Sequence, residues 1–229
     1  MVRSLDLTVP AGGHLAVVGP SGIGKSTLAG LIAGVLAPHA GECRILGTPV
    51  TGRDAAELAP LRVLIPQEAY VFSGTVRANL GYLRADAIAG EELDAAAEAV
   101  GLSPLLSRLG GPDARIVPGE LSAGERQLLA LARAYLSPAP LVLLDEATCH
   151  LDPAAEARVE HAFAERPGGT LVVIAHRAGS ARRADQVLVM DGHHLDLGRH
   201  AELLRRSPLY RDLVGGPEPA TPTPPRGRS

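Results

Sequence analysis

The chain has 229 residues, of which 46% are hydrophobic, so it can bury one substantial core, or one core and a small subdomain. A net charge of −3 without a long basic run argues against a nucleic-acid partner. Two cysteines are too few for a disulfide framework, and no apolar stretch approaches the roughly 20 residues that span a bilayer. A role at a membrane would therefore come through a partner.

The first third of the chain predicts strands around a glycine-rich loop. Apolar runs or alternating residues predict four strands, over 5–9, 14–18, 43–46 and 62–65. The second strand leads into the glycine-rich loop at 19–27, and the apolar residues from Leu28 predict a helix directly after it. The segment 47–54 is predicted to be a loop.

Residues 74–137 predict a helical insert. Glycines separate three helical segments, over 75–80, 91–100 and 102–109. Ser122 with Glu125 three residues later is a capping-box pattern, which predicts a fourth helix running to about Tyr135. We therefore predict a domain over 1–214 with a core (1–73 and 138–214) and a helical subdomain (74–137).

The last elements complete a predicted parallel sheet with an antiparallel edge. Apolar strands are predicted over 141–144, 171–174 and 186–190, and Asp191-Gly192 predicts a hairpin toward 195–197. Asp152 followed by Pro153 predicts the start of a helix. Residues 215–229 carry five prolines and almost no apolar side chain, which predicts a disordered tail.

The glycine-rich loop has the composition of a phosphate-binding site. Its residues are Gly19, Pro20, Ser21, Gly22, Ile23, Gly24, Lys25, Ser26 and Thr27. The glycines let backbone N–H groups turn inward as an anion-binding nest, and the start of the helix adds partial positive charge. Lys25 can reach the outer phosphates and the Ser26 hydroxyl can ligate Mg²⁺, so the loop predicts binding of a nucleoside triphosphate.

Three predicted strands end in polar residues: Gln67, Asp145-Glu146 and His176. In a doubly wound parallel sheet such strand ends line the crevice where ligands bind. Two adjacent carboxylates after an apolar strand need a nearby cation or charged substrate. Together these groups supply what phosphoryl transfer to water requires, namely a metal holder, a water-orienting base and donors to the γ-phosphate.

Six motifs in order resemble the nucleotide-binding domain of ATP-binding cassette (ABC) transporters along almost all of residues 1–214. They are the Walker A loop (19–26), the Q-loop (Gln67), the LSGGQ signature (121–127), Walker B (141–146), the D-loop (151–152) and the switch histidine (His176). Segments 66–67 with 71–80, 174–177 and 198–204 resemble exporters in particular. The resemblance implies an α/β fold of the P-loop NTPase (RecA-like) type, with a parallel sheet core, an antiparallel β edge and an inserted α-helical subdomain.

The resemblance also implies a mechanism. Two cassettes, identical or different, would close head to tail, with each ATP between one chain's loop and the other chain's signature at Ser122, Ala123, Gly124 and Glu125. Asp152 would belong to the D-loop of the same interface. Glu146 would activate the attacking water, His176 would hold the γ-phosphate, and Mg²⁺ would be served by Ser26, Gln67 and Asp145.

The chain departs from the family pattern in three places. Ala123 replaces a glycine of the signature, and Glu125 stands where glutamine is usual. Glu125 puts a carboxylate near phosphate unless it serves the helix cap instead. No aromatic residue precedes Tyr70, although the family stacks adenine on an aromatic upstream of Walker A. Either the adenine platform is missing here, or this chain is a domain of a longer exporter polypeptide, and we favour the second alternative.

We predict an ATPase that powers an exporter through a transmembrane partner, at the cytoplasmic face of the plasma (inner) membrane, with ATP and Mg²⁺ as cofactors. The alternative is a soluble ABC-type ATPase of DNA repair, chromosome organisation or translation. Repair and chromosome members carry long insertions before the signature, whereas Lys25 and Ser122 are only 97 positions apart here. The adjacent pairs Cys149-His150 and His193-His194 do not predict a metal site.

Overall fold

The computed structural model describes residues 5–175, 177–192 and 194–215. The strands are β1 (His14–Val18), β2 (Arg44–Ile45), β3 (Thr48–Pro49), β4 (Arg62–Ile65), β5 (Gly74–Thr75), β6 (Arg115–Ile116), β7 (Leu141–Asp145), β8 (Thr170–Ile174), β9 (Gln186–Met190) and β10 (Leu195–Gly198). The helices are α1 (Lys25–Ile32), α2 (Ala55–Leu58), α3 (Val76–Leu80), α4 (Gly90–Val100), α5 (Ser103–Leu109), α6 (Ala123–Leu136), α7 (Pro153–Ala164), α8 (Ala178–Arg183), α9 (His200–Arg206) and α10 (Pro208–Gly215).

The central sheet has the strand order β10-β9-β1-β8-β7-β4. Every pair from β9 to β4 is parallel, and β10 is antiparallel to β9, as the hairpin signal predicts. Side chains alternate between the two faces of a strand, so Val142 and Leu144 pack in one apolar layer while Leu141 and Leu143 pack in the other. Because both layers are buried, the strand reads as an unbroken apolar run. The predicted α/β fold class is confirmed.

A buried polar contact joins the segment after β4 to the long helix α6. Arg133, only 5% exposed, donates from Nε to the Asn79 carbonyl at 2.6 Å and from Nη1 to the Tyr70 carbonyl at 2.8 Å. The fully buried Asn79 in turn holds the backbone of Phe72 through both its amide nitrogen and its carbonyl oxygen, at 2.9 and 3.1 Å. This contact fixes α3 and the Tyr70–Phe72 segment against α6.

Three local predictions differ from the structure. Residues 5–9 alternate between partly buried and exposed but form no strand, because nothing in the described part of the chain pairs with them. The predicted loop 47–54 contains β3, and β5 pairs with β6 through Gly74 with Ile116 and Thr75 with Arg115. Two-residue strands leave no periodicity that a sequence pattern can detect. Of the predicted tail, Gly215 ends α10, and 216–229 lie outside the described residues.

Candidate nucleotide-binding site

The glycine-rich loop connects β1 to α1 at the carboxyl end of the sheet. Gly22 and Gly24 have φ of 76° and 108°, in the left-handed region that glycine adopts without strain. Gly19 is required for a different reason, because a Cβ there would lie 2.3 Å from the Met190 carbonyl oxygen. The neighbouring strand therefore approaches the loop backbone directly. Helix α1 begins at Lys25, so its first free N–H groups belong to the loop region.

Lys25 folds back over this loop. The residue is 7% exposed, and its Nζ donates hydrogen bonds to the carbonyls of Gly19 at 2.9 Å and Pro20 at 3.0 Å. These two carbonyls hold the ammonium above the backbone of the loop. A cation held over inward-turned amides is the arrangement that binds the outer phosphates of a nucleotide.

Ser26 and Asp145 meet directly, although 119 residues separate them. The Ser26 Oγ donates to Asp145 Oδ1 at 2.9 Å. Burial raises the pKa of the Asp145 carboxyl, and the neighbouring Glu146 raises it further, while the Ser26 hydrogen bond and Lys25 act in the opposite direction. A carboxylate whose charge is disfavoured in this way gains from a nearby cation.

Glu146 lies at the end of β7 with φ of 53°, and its N–H donates to the Ile174 carbonyl at 3.3 Å. A left-handed backbone at a glutamate is strained and is maintained by its surroundings. The residue borders a cavity of about 250 Å³, lined by Gln67, Glu146, Thr148, Cys149, Glu156 and Arg177. The structure thus brings Gln67 and Glu146 together, as their strand ends predict.

A second cavity, of about 210 Å³, borders the glycine-rich loop. Its lining combines Gly19, Pro20, Ser21 and Lys25 with Ala175, Arg177 and Ala178 after β8, and with Leu213 and Val214 of α10. Arg177 lines both cavities. His176, the predicted switch histidine, lies outside the described residues.

The predicted signature begins α6. Ser122 is its N-cap, and Ser122 and Glu125 form a reciprocal capping box, with the Ser122 N–H donating to Glu125 Oε2 at 2.8 Å and the Glu125 N–H donating to Ser122 Oγ at 3.2 Å. Glu125 also forms an ion pair with Arg108. The hydrogen bond from the Ser122 N–H holds the pKa of Glu125 below its ordinary value against the effect of burial, and the Ser122 side chain and then Arg108 lower it further. The carboxylate therefore serves the helix cap, the second of the two alternatives set out above.

The other signature residues fit this helix start. Ala123 is the first residue of α6 and does not have a positive φ, so its methyl group causes no backbone strain. At Gly124, a Cβ would lie 3.2 Å from the His150 carbonyl oxygen, so glycine allows the helix to approach the segment after Glu146. None of the signature residues lines either of the two cavities. Asp152 caps α7 by accepting the N–H groups of Ala154 and Ala155 at 2.9 Å.

The donor set fits Mg²⁺ rather than a metal held by protein alone. Ser26, Asp145 and Gln67 offer hydroxyl, carboxylate and amide oxygens, the hard ligands that Mg²⁺ prefers. Within the described ranges, no group of three or more His, Cys, Asp or Glu residues could hold a metal ion. Mg²⁺ usually takes one or two side chains and completes its shell with waters and substrate phosphates, so this small set is sufficient.

Sequence reasoning did not identify Arg108, Glu156 or Arg177 as parts of the site. Arg177 stands inside the exporter-like segment 174–177, which could have identified it as a candidate site residue. Its partners Glu156 and Leu151 are 21 and 26 residues away, so the sequence does not indicate these contacts. No helix in the described part of the chain is both apolar enough and long enough to cross a membrane.

A glycine-rich loop between a parallel strand and a helix, facing an acidic strand end, defines a P-loop nucleotide-binding domain. The chain belongs to the ABC transporter family, whose sequence model matches residues 2–149.

The comparisons agree on this family. The chain is 69% identical over 215 residues to the ABC transporter ATP-binding protein RamB of Streptomyces coelicolor, covering 94% of this chain and 35% of that protein. It is 39% identical over 219 residues to an ATP-dependent lipid A-core flippase of Chromobacterium violaceum, covering 93% of this chain and 37% of that protein. A solved bacterial Atm1-family ABC exporter with ATP bound superposes with a TM-score of 0.80 at 35% identity, over 90% of this chain and 36% of that chain. The chain thus spans about a third of the length of these relatives.

Proposed function

We propose that this chain hydrolyses ATP to power an ABC exporter, as one of two cassettes that act on a transmembrane partner. The observation that carries the proposal is the contact between Ser26 and Asp145, beside a cavity that Glu146 and Gln67 share. This arrangement combines a phosphate-binding loop, a pair of proposed metal ligands (Ser26 and Asp145) and a carboxylate that can activate the attacking water (Glu146). The exporter-type relatives favour transport, and nothing in the comparisons supports the soluble alternative.

In the proposed reaction, the loop amides and Lys25 bind the β- and γ-phosphates. Ser26, Asp145 and Gln67 would hold Mg²⁺, which when bound neutralises charge on the phosphate oxygens. Glu146 accepts a proton from the attacking water or orients it in line with the γ-phosphorus. For His176, the proposed contact with the γ-phosphate rests on the family resemblance alone.

The second cassette supplies the other side of the nucleotide. Ser122 and the start of α6 line neither cavity of their own chain, which supports a role toward the nucleotide of a partner, identical or different. A helix start with a serine cap is suited to a γ-phosphate. We place the pair, with Asp152 at its interface, against a transmembrane domain at the cytoplasmic face of the plasma (inner) membrane. That domain belongs to a separate chain or to the same polypeptide.

The proposal is tested by Glu146→Gln. This change keeps the size of the side chain and removes the base, so turnover should fall about 10²- to 10⁴-fold. It also removes a negative charge beside the triphosphate, so an ATP-dependent dimer should become visible by light scattering. Lys25→Ala is the contrast, because it should abolish both nucleotide binding and the dimer. Hydrolysis at the parental rate by the Glu146→Gln variant would show that Glu146 is not the base.

A further inference from the structure

The strained backbone of Glu146 is continued by a tight turn. The Cys149 N–H donates to the Glu146 carbonyl at 3.1 Å, and the Leu151 N–H donates to the Thr148 carbonyl at 3.0 Å. These two bonds make residues 146–151 one connected unit. Two overlapping backbone hydrogen bonds therefore link Leu151 to Glu146 along this turn.

Arg177 holds the far end of this turn. Its Nη1 donates to the Leu151 carbonyl at 2.9 Å and to Glu156 Oε2 at 2.8 Å. Glu156 lies on α7 and is 3% exposed, so the guanidinium is anchored to a buried carboxylate. Arg177 thereby connects the start of α8 to the D-loop residue Leu151 and to α7.

A second arginine shares the anchor but not the turn. Arg183 donates to Glu156 Oε1 at 3.2 Å and pairs with the fully buried Glu160 at 2.8 Å. The Ser180 Oγ lies within hydrogen-bond distance of both carboxylates, 3.0 Å from Glu156 Oε1 and 2.5 Å from Glu160 Oε1, and donates its single proton to one of them at a time. The two arginines thus balance the two buried glutamates, but of the pair only Arg177 contacts the turn that follows Glu146.

We propose that Arg177 is a positioning residue for hydrolysis. By fixing the Leu151 carbonyl, it holds the turn 146–151 so that the Glu146 carboxylate faces the cavity shared with Gln67. Arg177 lines this cavity and also the cavity beside Lys25. It therefore lies between Glu146, the proposed base for the attacking water, and the phosphate-binding loop. The inference deepens the proposed function and rests on Glu146 acting as the base.

The test compares Arg177→Met with Arg183→Met in the full chain. For Arg177→Met, kcat should fall about 10- to 100-fold, because misplacement of a reacting group by about 1 Å has this effect. Its KM for ATP should stay within about threefold of the parent, because the phosphate-binding loop is unchanged. For Arg183→Met, kcat should stay within about threefold of the parent. The melting temperature of Arg183→Met should nevertheless fall at least as far as that of Arg177→Met, because Glu160 loses its charged partner. If Arg183→Met does not fold, Arg183→Lys takes its place and keeps that charge.

A second readout does not depend on turnover. Amide hydrogen exchange at Cys149 and Leu151, measured where circular dichroism shows every variant folded, should be faster in Arg177→Met than in the parent or the Arg183 variant. Equal protection in all three chains, or an equal loss of kcat in both arginine variants, would overturn the positioning role. If the parent does not hydrolyse ATP, or if Glu146→Gln hydrolyses it equally fast, the proposed function fails. The exchange rates at Cys149 and Leu151 still decide whether Arg177 holds the turn 146–151.

Discussion

The side chain of Ser26 donates a hydrogen bond to Asp145 Oδ1 at 2.9 Å and so joins the first turn of α1 to the end of β7. The contact brings together the phosphate-binding loop and the acidic strand end. It also places two hard oxygen atoms side by side, and under the proposed function these would hold Mg²⁺ together with the substrate phosphates. The two residues are therefore expected to act together in metal-dependent binding.

Ser26→Ala should weaken Mg-ATP binding about tenfold, corresponding to one lost ligand or charge-assisted hydrogen bond. Binding of ATP in EDTA should change little, because the loop amides and Lys25 remain. Isothermal titration calorimetry with and without Mg²⁺ measures both affinities. Ser26→Thr keeps the hydroxyl and should retain the parental magnesium dependence. An equal loss of affinity with and without the metal would contradict a ligand role for Ser26.

Glu125→Ala should lower the free energy of unfolding by about 1 kcal/mol, because the Ser122 N–H loses its capping partner. Glu125→Gln keeps an acceptor at the same place and should recover most of that loss. It gives up only the charge of the pair with the half-exposed Arg108, a kind of contact that contributes little. Urea denaturation of the three chains provides the comparison. Two variants of equal stability would show that the cap has no energetic role.

His14 should make the fold sensitive to acid. The side chain is 5% exposed, and its Nε2 has no hydrogen-bond partner within the described part of the chain. Burial lowers the pKa of His14 from 6.5 to about 4, while the Asp185 charge raises it and the Arg183 charge lowers it further. The unfolded chain therefore binds the proton first. The stabilisation is complete above about pH 6.5 and is lost as pH falls from there toward 4.

The expected loss from His14 between pH 8 and pH 5 is about 2 kcal/mol, measured by urea denaturation. His14→Leu should remove this part of the pH dependence. A His14→Leu variant with the same profile as the parent would show that His14 is not the group that titrates.

Arg133→Met should destabilise the chain by about 2–4 kcal/mol, because it removes a buried cation that holds the carbonyls of Tyr70 and Asn79. The guanidinium also lies over the Tyr82 ring, 5.5 Å from its centroid. Arg133→Lys should recover little, since an ammonium cannot reproduce this planar set of contacts. Denaturation midpoints give the measurement, with exposed Arg115→Met as the control. Equal midpoints for the two methionine variants would contradict the role of this contact.

The features that the sequence determined are those set by short-range constraints. The glycines of the loop mark positive φ and close backbone approach, and the apolar runs mark strands buried on both faces. Because parallel strands present their carboxyl ends at one edge, Gln67, Asp145 and Glu146 could be placed around one crevice from the sequence alone. The capping box at Ser122 was readable for the same reason, since its two residues are three positions apart.

Only the tertiary structure decided which side chains meet. The approach of Ser26 to Asp145, the pairing of Glu125 with Arg108 and the link from Arg177 to Leu151 join residues 119, 17 and 26 positions apart. The left-handed backbone of Glu146 is likewise maintained by neighbours on another strand. No sequence pattern contains these contacts, because they depend on how helices and strand ends dock after the local structure has formed. The sequence thus determined the sheet and its phosphate-binding loop, and the packing of α6, α7 and α8 decided how the groups around that loop are held.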